Sequence, residues 1–271
     1  MKLRTTKALK WIRFEESFSR RLAFFGILAG CFFSETAAEA IDGHMPSEGL
    51  TQSDWTSIQT AHDAWLHGFM LLENGGWQAR NPGQRWTASF DGKGFLTKPR
   101  EASWQWGLEF QSYGFGARQI AASSTSPEVK SEGQRLSYQW GDGFTEWFVN
   151  DSHGLEHGFT LQHRPTVAPE SGELDVVLAV RGGLRPVLSS DGETVVFQDG
   201  SGTAIVHYAG LKVWDARQKI LPSRFVVTPE GRLILRVAEA SATYPLTIDP
   251  IARQAYLKAD AAGSANAGDL F

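Results

Sequence analysis

The segment His153-Gly154-Leu155-Glu156-His157 carries the spacing H-x-x-E-H. On a helix, that spacing lets two imidazoles bind zinc from one face while the carboxylate activates a water. The surrounding residues oppose a helix. Gly154 and Gly158 each disfavour it by about 1 kcal/mol relative to Ala. The flanks Trp147-Phe148-Val149 and Phe159-Thr160-Leu161 are strand-like, and Asn150-Asp151-Ser152 reads as a turn. The sequence therefore predicts a turn between two strands, with Glu156 and His157 bonding the local backbone or each other. His153, Glu156 and His157 stay as weak metal candidates for a metallohydrolase, and a surface metal clip that includes His163 is the lesser alternative.

Other catalytic patterns are missing. His62 and His67 stand five residues apart and do not share a helix face. There is no G-x-S-x-G and no phosphate-binding glycine loop. The Asp-Gly pairs at 91–92, 142–143, 191–192 and 199–200 lack the ligand spacing of a calcium loop and read as hairpin turns. Asn150-Asp151-Ser152 matches a glycosylation sequon by pattern alone. No cofactor is expected. Net charge is −4, so no overall positive field attracts nucleic acid.

Tryptophan is the other chemical resource. Ten Trp against three Met point to a rigid aromatic core or an aromatic surface. Trp104, Trp106 and Trp140 fall on the apolar phase of alternating segments and are expected in the core. Trp77 and Trp147 are the candidates for a ligand-binding, carbohydrate-stacking surface.

The elements that must position these residues are mostly strands. One helix is expected near 52–67, where Trp55, Ile58 and Trp65 recur at helical spacing; Ser53 or Thr51 caps its start, Gly68 ends it, and it is expected to lie across a sheet. From Gly76 onward, about ten short strands alternate with turn residues. Residues 166–173 read as a long hairpin loop. Leu174–Val180 is apolar enough for burial on both faces. Ala204–Tyr208 and Leu211–Trp214 read as two strands, and a last short strand covers Tyr244–Ile248. The fold class is mainly β: an antiparallel β-sandwich or stacked β-sheets with one N-terminal helix.

Residues 1–21 hold seven Lys or Arg, followed by an apolar run of twelve over Leu22–Phe33. That run is shorter than the roughly 20 residues of a membrane span and fits a signal peptide. Ala38-Glu39-Ala40 offers a cleavage site, giving a leader over 1–40. Alternatively, Leu28-Ala29-Gly30-Cys31 offers a lipoprotein signal ending before Cys31, whose thiol would be acylated. Cys31 is the single cysteine, so stability rests on the core rather than on disulfides. The β-rich domain then covers 41–250.

Four phrases carry a family resemblance: Asn150-Asp151 with Gly154–Thr160, Ala179–Pro186, Tyr208–Asp215 and Tyr244–Pro250. Together with the closing Gly268-Asp269-Leu270-Phe271, they resemble the N-terminal β-rich region of exported bacterial FG-GAP (integrin-α-like) repeat proteins. The resemblance spans roughly Trp77 to Phe271. It implies an exported β-domain without assigned catalytic residues, and makes 251–271 a linker toward a β-propeller missing from this chain. The leading expectation is an exported, non-catalytic structural or interaction module of a cell-surface or secreted repeat protein, in truncated form. Its partner would be an extracellular or envelope ligand, and it would touch membrane only through the signal peptide or a lipid anchor. A carbohydrate-binding module is the alternative.

Overall fold

Period-two alternation of large apolar side chains builds this molecule. A computed structural model describes residue 49 and residues 51–122, 127–141, 143–166 and 172–254. The leader, Cys31 and the segment from 255 onward lie outside the described residues.

The first element among the described residues is helix α1 (Gln52–His67). Thr51 caps it through a reciprocal box: its Oγ1 accepts from the Asp54 N–H, and the Asp54 carboxylate accepts from the Thr51 N–H. There follow β1 (Phe69–Leu71), β2 (Trp77–Asn81), β3 (Trp86–Phe90), β4 (Phe95–Pro99), β5 (Trp106–Phe115) and β6 (Arg118–Ala121). Next come β7 (Glu128–Glu132), β8 (Arg135–Gln139), β9 (Phe144–Asp151) and β10 (Gly154–Leu161). The remainder is β11 (Leu174–Gly182), β12 (Arg185–Leu188), β13 (Thr194–Gln198), β14 (Ala204–Trp214), β15 (Ser223–Val227), β16 (Leu233–Val237) and β17 (Leu246–Gln254).

The strands form two open antiparallel sheets. The first runs β1-β2-β3-β4-β5-β11-β16-β15, with β6 paired to β5; the second runs β12-β13-β14-β17-β10-β9-β8-β7. Rings from the two sheets meet in the core. Phe90 lies 4.9 Å from Phe148, Trp106 4.9 Å from Phe197, and Phe110 stacks on Phe144 at 4.7 Å between centroids. Such pairs add about 0.5–1.5 kcal/mol each beyond area burial. The result is consistent with a β-sandwich, the expected class.

Several local expectations change. Helix α1 does not lie across a sheet: along its length only His67 is buried, and Ile58 and Trp65 are exposed. The expected hairpin loop at 166–173 falls mostly outside the described residues, but the strands on either side of it, β10 and β11, belong to different sheets and do not pair. Leu174–Val180 is not buried throughout: Val177, Ala179 and Val180 are half-buried. Residues 204–208 and 211–214 belong to one strand, β14, whose pairing slips between Ala209 and Lys212. Gly210 there has φ +68°, a conformation glycine adopts without a Cβ clash. The partner strand β17 runs to Gln254 rather than stopping at Ile248. Its Pro250 would be a fault in a central strand, since proline offers no N–H to the ladder. The slip in β14 falls opposite Pro250, between the pairs Ala209–Ile251 and Lys212–Asp249.

Candidate functional site

The β9–β10 hairpin positions the residues of H-x-x-E-H and separates them. In register, Glu156 faces Val149, and His157 faces Phe148. Successive side chains of a strand point to opposite faces. Glu156 therefore stands on the outer face while His157 enters the core. His153 sits in the connecting turn, largely exposed, with its Nδ1 3.2 Å from Asp151 Oδ2. The expected turn, with Glu156 and His157 bonding the local backbone or each other, is not found at these two residues: both lie in β10, and His157 bonds Glu146 and Tyr208. Among the described residues, no three His, Cys, Asp or Glu side chains come together as a metal-binding group. His163 lies past the end of β10, against Gly143.

His157 instead joins a buried relay. Its Nε2 is 2.8 Å from Glu146 Oε1, and its Nδ1 is 3.1 Å from the Tyr208 hydroxyl. The second Glu146 oxygen accepts from Trp140 Nε1–H at 2.8 Å. The side chains of Glu146 and His157 are both 0% exposed. The hydrogen bonds are all satisfied when Glu146 accepts from Trp140 Nε1–H and from His157 Nε2–H while His157 Nδ1 accepts from the Tyr208 hydroxyl. Burial, followed by the nearby Glu146 charge, pushes the Tyr208 hydroxyl well above its usual range. A carboxylate, an imidazole and a phenol in series have the parts of an acid–base catalyst. Here protein seals them on every side, with Phe148 stacked 4.9 Å from the imidazole and Phe159 beside it.

On the outer face of the second sheet, Trp147 lies over Gly158, its cross-strand partner. Its Nε1–H donates to Thr160 Oγ1 at 3.2 Å, and the Arg135 guanidinium covers the ring at 4.3 Å from the centroid. The indole is thus buried although it points away from the core. Glu156 of β10 and Asp249 of β17 share this outer face and the field of Arg135. Burial raises both carboxyls above their usual range, and for Glu156 the charges of Asp249 and Asp151 add to the shift. Trp77 belongs to β2 of the other sheet and is half-buried against the core. The two tryptophans do not form one platform.

Sequence reasoning missed a groove at the end of the first sheet. The β2–β3 hairpin and the exit of β4 bring three arginines to one place, since Asn81 pairs with Trp86 and Trp86 with Pro99. Arg80, Arg85 and Arg100 line a groove of about 600 Å³. Trp65, Leu66 and Met70 from α1 and β1 form one wall; Pro82, Trp86 and Pro99 contribute further apolar surface. None of the three guanidinium groups makes a hydrogen bond or ion pair among the described residues. Two buried lining atoms, Trp86 Nε1 and Gln254 Oε1, also lack a hydrogen-bond partner. Arg85 has φ +53°, the left-handed conformation that closes the β2–β3 turn. A second, more open hollow, lined by Trp104, Leu184, Asp199 and Ile205, shares Ala102 and Gln254 with the first. Arginines from the end of β2, the β2–β3 turn and the exit of β4 have no sequence spacing to betray them.

Two buried amides fasten the groove wall to the sandwich. Asn150 Nδ2 donates to the carbonyls of His67 and Arg80, each at 2.8 Å. Asn81 Nδ2 donates to Asn150 Oδ1 at 2.9 Å and to the Asp151 carbonyl at 2.7 Å. These bonds hold the last turn of α1 against β2 and β9. Comparison with known proteins brings no analogy to bear on either the relay or the groove: no family model, no curated protein and no solved structure matches the chain.

Proposed function

We propose that this chain is an exported, non-catalytic interaction module of a cell-surface or secreted repeat protein. One observation carries the non-catalytic part. The buried acid–base series Glu146–His157–Tyr208 has no solvent-facing atom at its imidazole or carboxylate. A general acid or base must come within hydrogen-bond reach of a substrate proton, directly or through one water. Side chains packed at 0% exposure cannot do so; their chemistry serves cohesion between β9, β10 and β14. The basic leader and apolar run support export, and the resemblance to FG-GAP proteins supports a place in a repeat protein. No helix among the described residues is long and apolar enough to cross a membrane.

The test is fractionation of a bacterium producing the full chain, with mass spectrometry of its mature N-terminus. Export predicts either acylated Cys31 or a free Ile41 in the envelope or medium. Cytoplasmic protein that keeps residues 1–40 would refute the reading.

A further inference from the structure

We infer that the groove lined by Arg80, Arg85 and Arg100 binds an acidic peptide segment whose carboxylates alternate with apolar side chains. This rests on the reading of the chain as an interaction module and names the kind of partner.

Charge is the first argument. Three guanidinium groups converge on one groove, and none is paired among the described residues. Where arginines of this fold meet acids they grip them with paired bonds, as Arg236 does Asp175 and Arg224 does Glu173. Three unpaired arginines lining one concavity offer the same grip to external carboxylates. Glu101 is the single acidic residue of the lining.

The second argument is the unfinished hydrogen bonding. Trp86 is 3% exposed and lines the groove, yet its Nε1–H has no acceptor. Gln254 Oε1, also in the lining, has no donor. Buried polar atoms are nearly always satisfied, and two of the three unsatisfied ones among the described residues belong to this lining.

Composition favours a polypeptide over an acidic glycan. Trp, Met and Arg are the residues enriched at protein interfaces, and lysine is depleted there. This groove has Trp65, Trp86, Met70 and three arginines, and no lysine. The wall continues outward as exposed apolar surface. Among the described residues, four of the seven exposed large apolar side chains are Ile58, Trp65, Met70 and Leu71. Leucine or phenylalanine side chains of a partner would fill against them, which the hydroxyls of a sugar would not.

The experiment titrates the full-length mature protein with fluorescein-labelled peptides in which Asp or Glu alternates with Leu or Phe, following anisotropy and Trp65 emission. Saturable binding is expected. Arg80→Glu with Arg100→Glu should weaken it at least about tenfold, since it replaces charge-assisted bonds by like-charge repulsion. These arginines are exposed, so an unchanged melting temperature verifies that the variants fold. Trp65→Ala should weaken binding without altering its salt dependence. Peptides with Asn and Gln in place of the acids should not bind. Three outcomes overturn the proposal. One is equal binding by the charge-reversed protein. A second is saturable binding of polygalacturonate together with no binding of the peptides. The third is peptide binding only after residues 255–271 are removed, which would make that segment the occupant. None of these touches the export test, so a failure here leaves the broader reading standing.

Discussion

The imidazole of His157 and the carboxylate of Glu146, eleven residues apart on adjacent strands, meet at 2.8 Å inside the sandwich with neither side chain exposed. They are not direct cross-strand partners: Glu146 pairs with Phe159, and His157 with Phe148. The contact is a diagonal on the core face. Each group needs the other, because a buried carboxylate without donors is far costlier than a bonded one.

Glu146→Ala should therefore destabilise by about 3 kcal/mol or more, since it strips the acceptor from both Trp140 Nε1–H and His157. His157→Phe leaves the carboxylate charged and one donor short, and should cost a similar amount. Glu146→Ala combined with His157→Phe should cost clearly less than the two single changes added together. Urea unfolding of the four proteins measures this. Additive effects would mean that the relay is not a unit.

The amide pair Asn81 and Asn150 sets how firmly α1 is held. Asn150→Ala removes the donors to the carbonyls of His67 and Arg80 and leaves both short of a partner, at about 1–3 kcal/mol each. Because α1 buries little else, the loss should appear locally. Hydrogen exchange in Gln52–His67 should accelerate well beyond that of β9 and β10. Uniform acceleration across the sandwich would place the role of Asn150 in global stability instead.

Trp147 and Gly158 test the outer face. A Cβ on Gly158 would run into the indole ring. Gly158→Ala must push Trp147 from under Arg135, with a cost of about 1–3 kcal/mol and a red shift of its emission. In the wild-type protein, Trp147→Ala should change no glycan affinity, because the ring is covered. A glycan-array signal that Trp147→Ala abolishes would restore the carbohydrate reading.

These features differ in how far the sequence announces them. Alternation places Trp106 and Trp140 in the core, where they are found, because a period-two pattern fixes phase as well as strand. Trp104, assigned to the same phase, lies ahead of β5 and is half-buried. The helix is legible from its capping chemistry at Thr51 and Gly68, whereas its expected docking face is not, since periodicity marks an apolar stripe and not what covers it. The extension of β17 through Pro250 was hidden because the accommodating slip lies in a different strand, β14. The relay did leave a trace: Glu146 occupies the apolar phase between Phe144 and Phe148, and a charged residue on the core face demands a buried partner. The groove left none, since strand register alone assembles Arg80, Arg85 and Arg100.

Glu156 and Asp249 make a pH-dependent contribution of opposite sign to the usual carboxylate. Burial raises the folded-state pKa of both, and for Glu156 the neighbouring carboxylates Asp249 and Asp151 raise it further. A carboxyl that holds its proton more tightly when folded lowers stability as pH rises through the interval between its unfolded value, 4.5 for Glu156, and its raised folded value. Above that interval the penalty is complete; below 4.5 both states are protonated and it is gone. Glu156→Gln and Asp249→Asn should thus raise the melting temperature at pH 7, with the gain shrinking as pH falls toward 4.5 and below. The cost is shared, because removing one charge relieves the other. The double variant should gain less than the sum of the singles, as expected for coupled neighbours. Melting curves from pH 4 to 8 decide it. A variant less stable than wild type at pH 7 would mean that attraction to Arg135 and Lys212 outweighs the burial of the two acids.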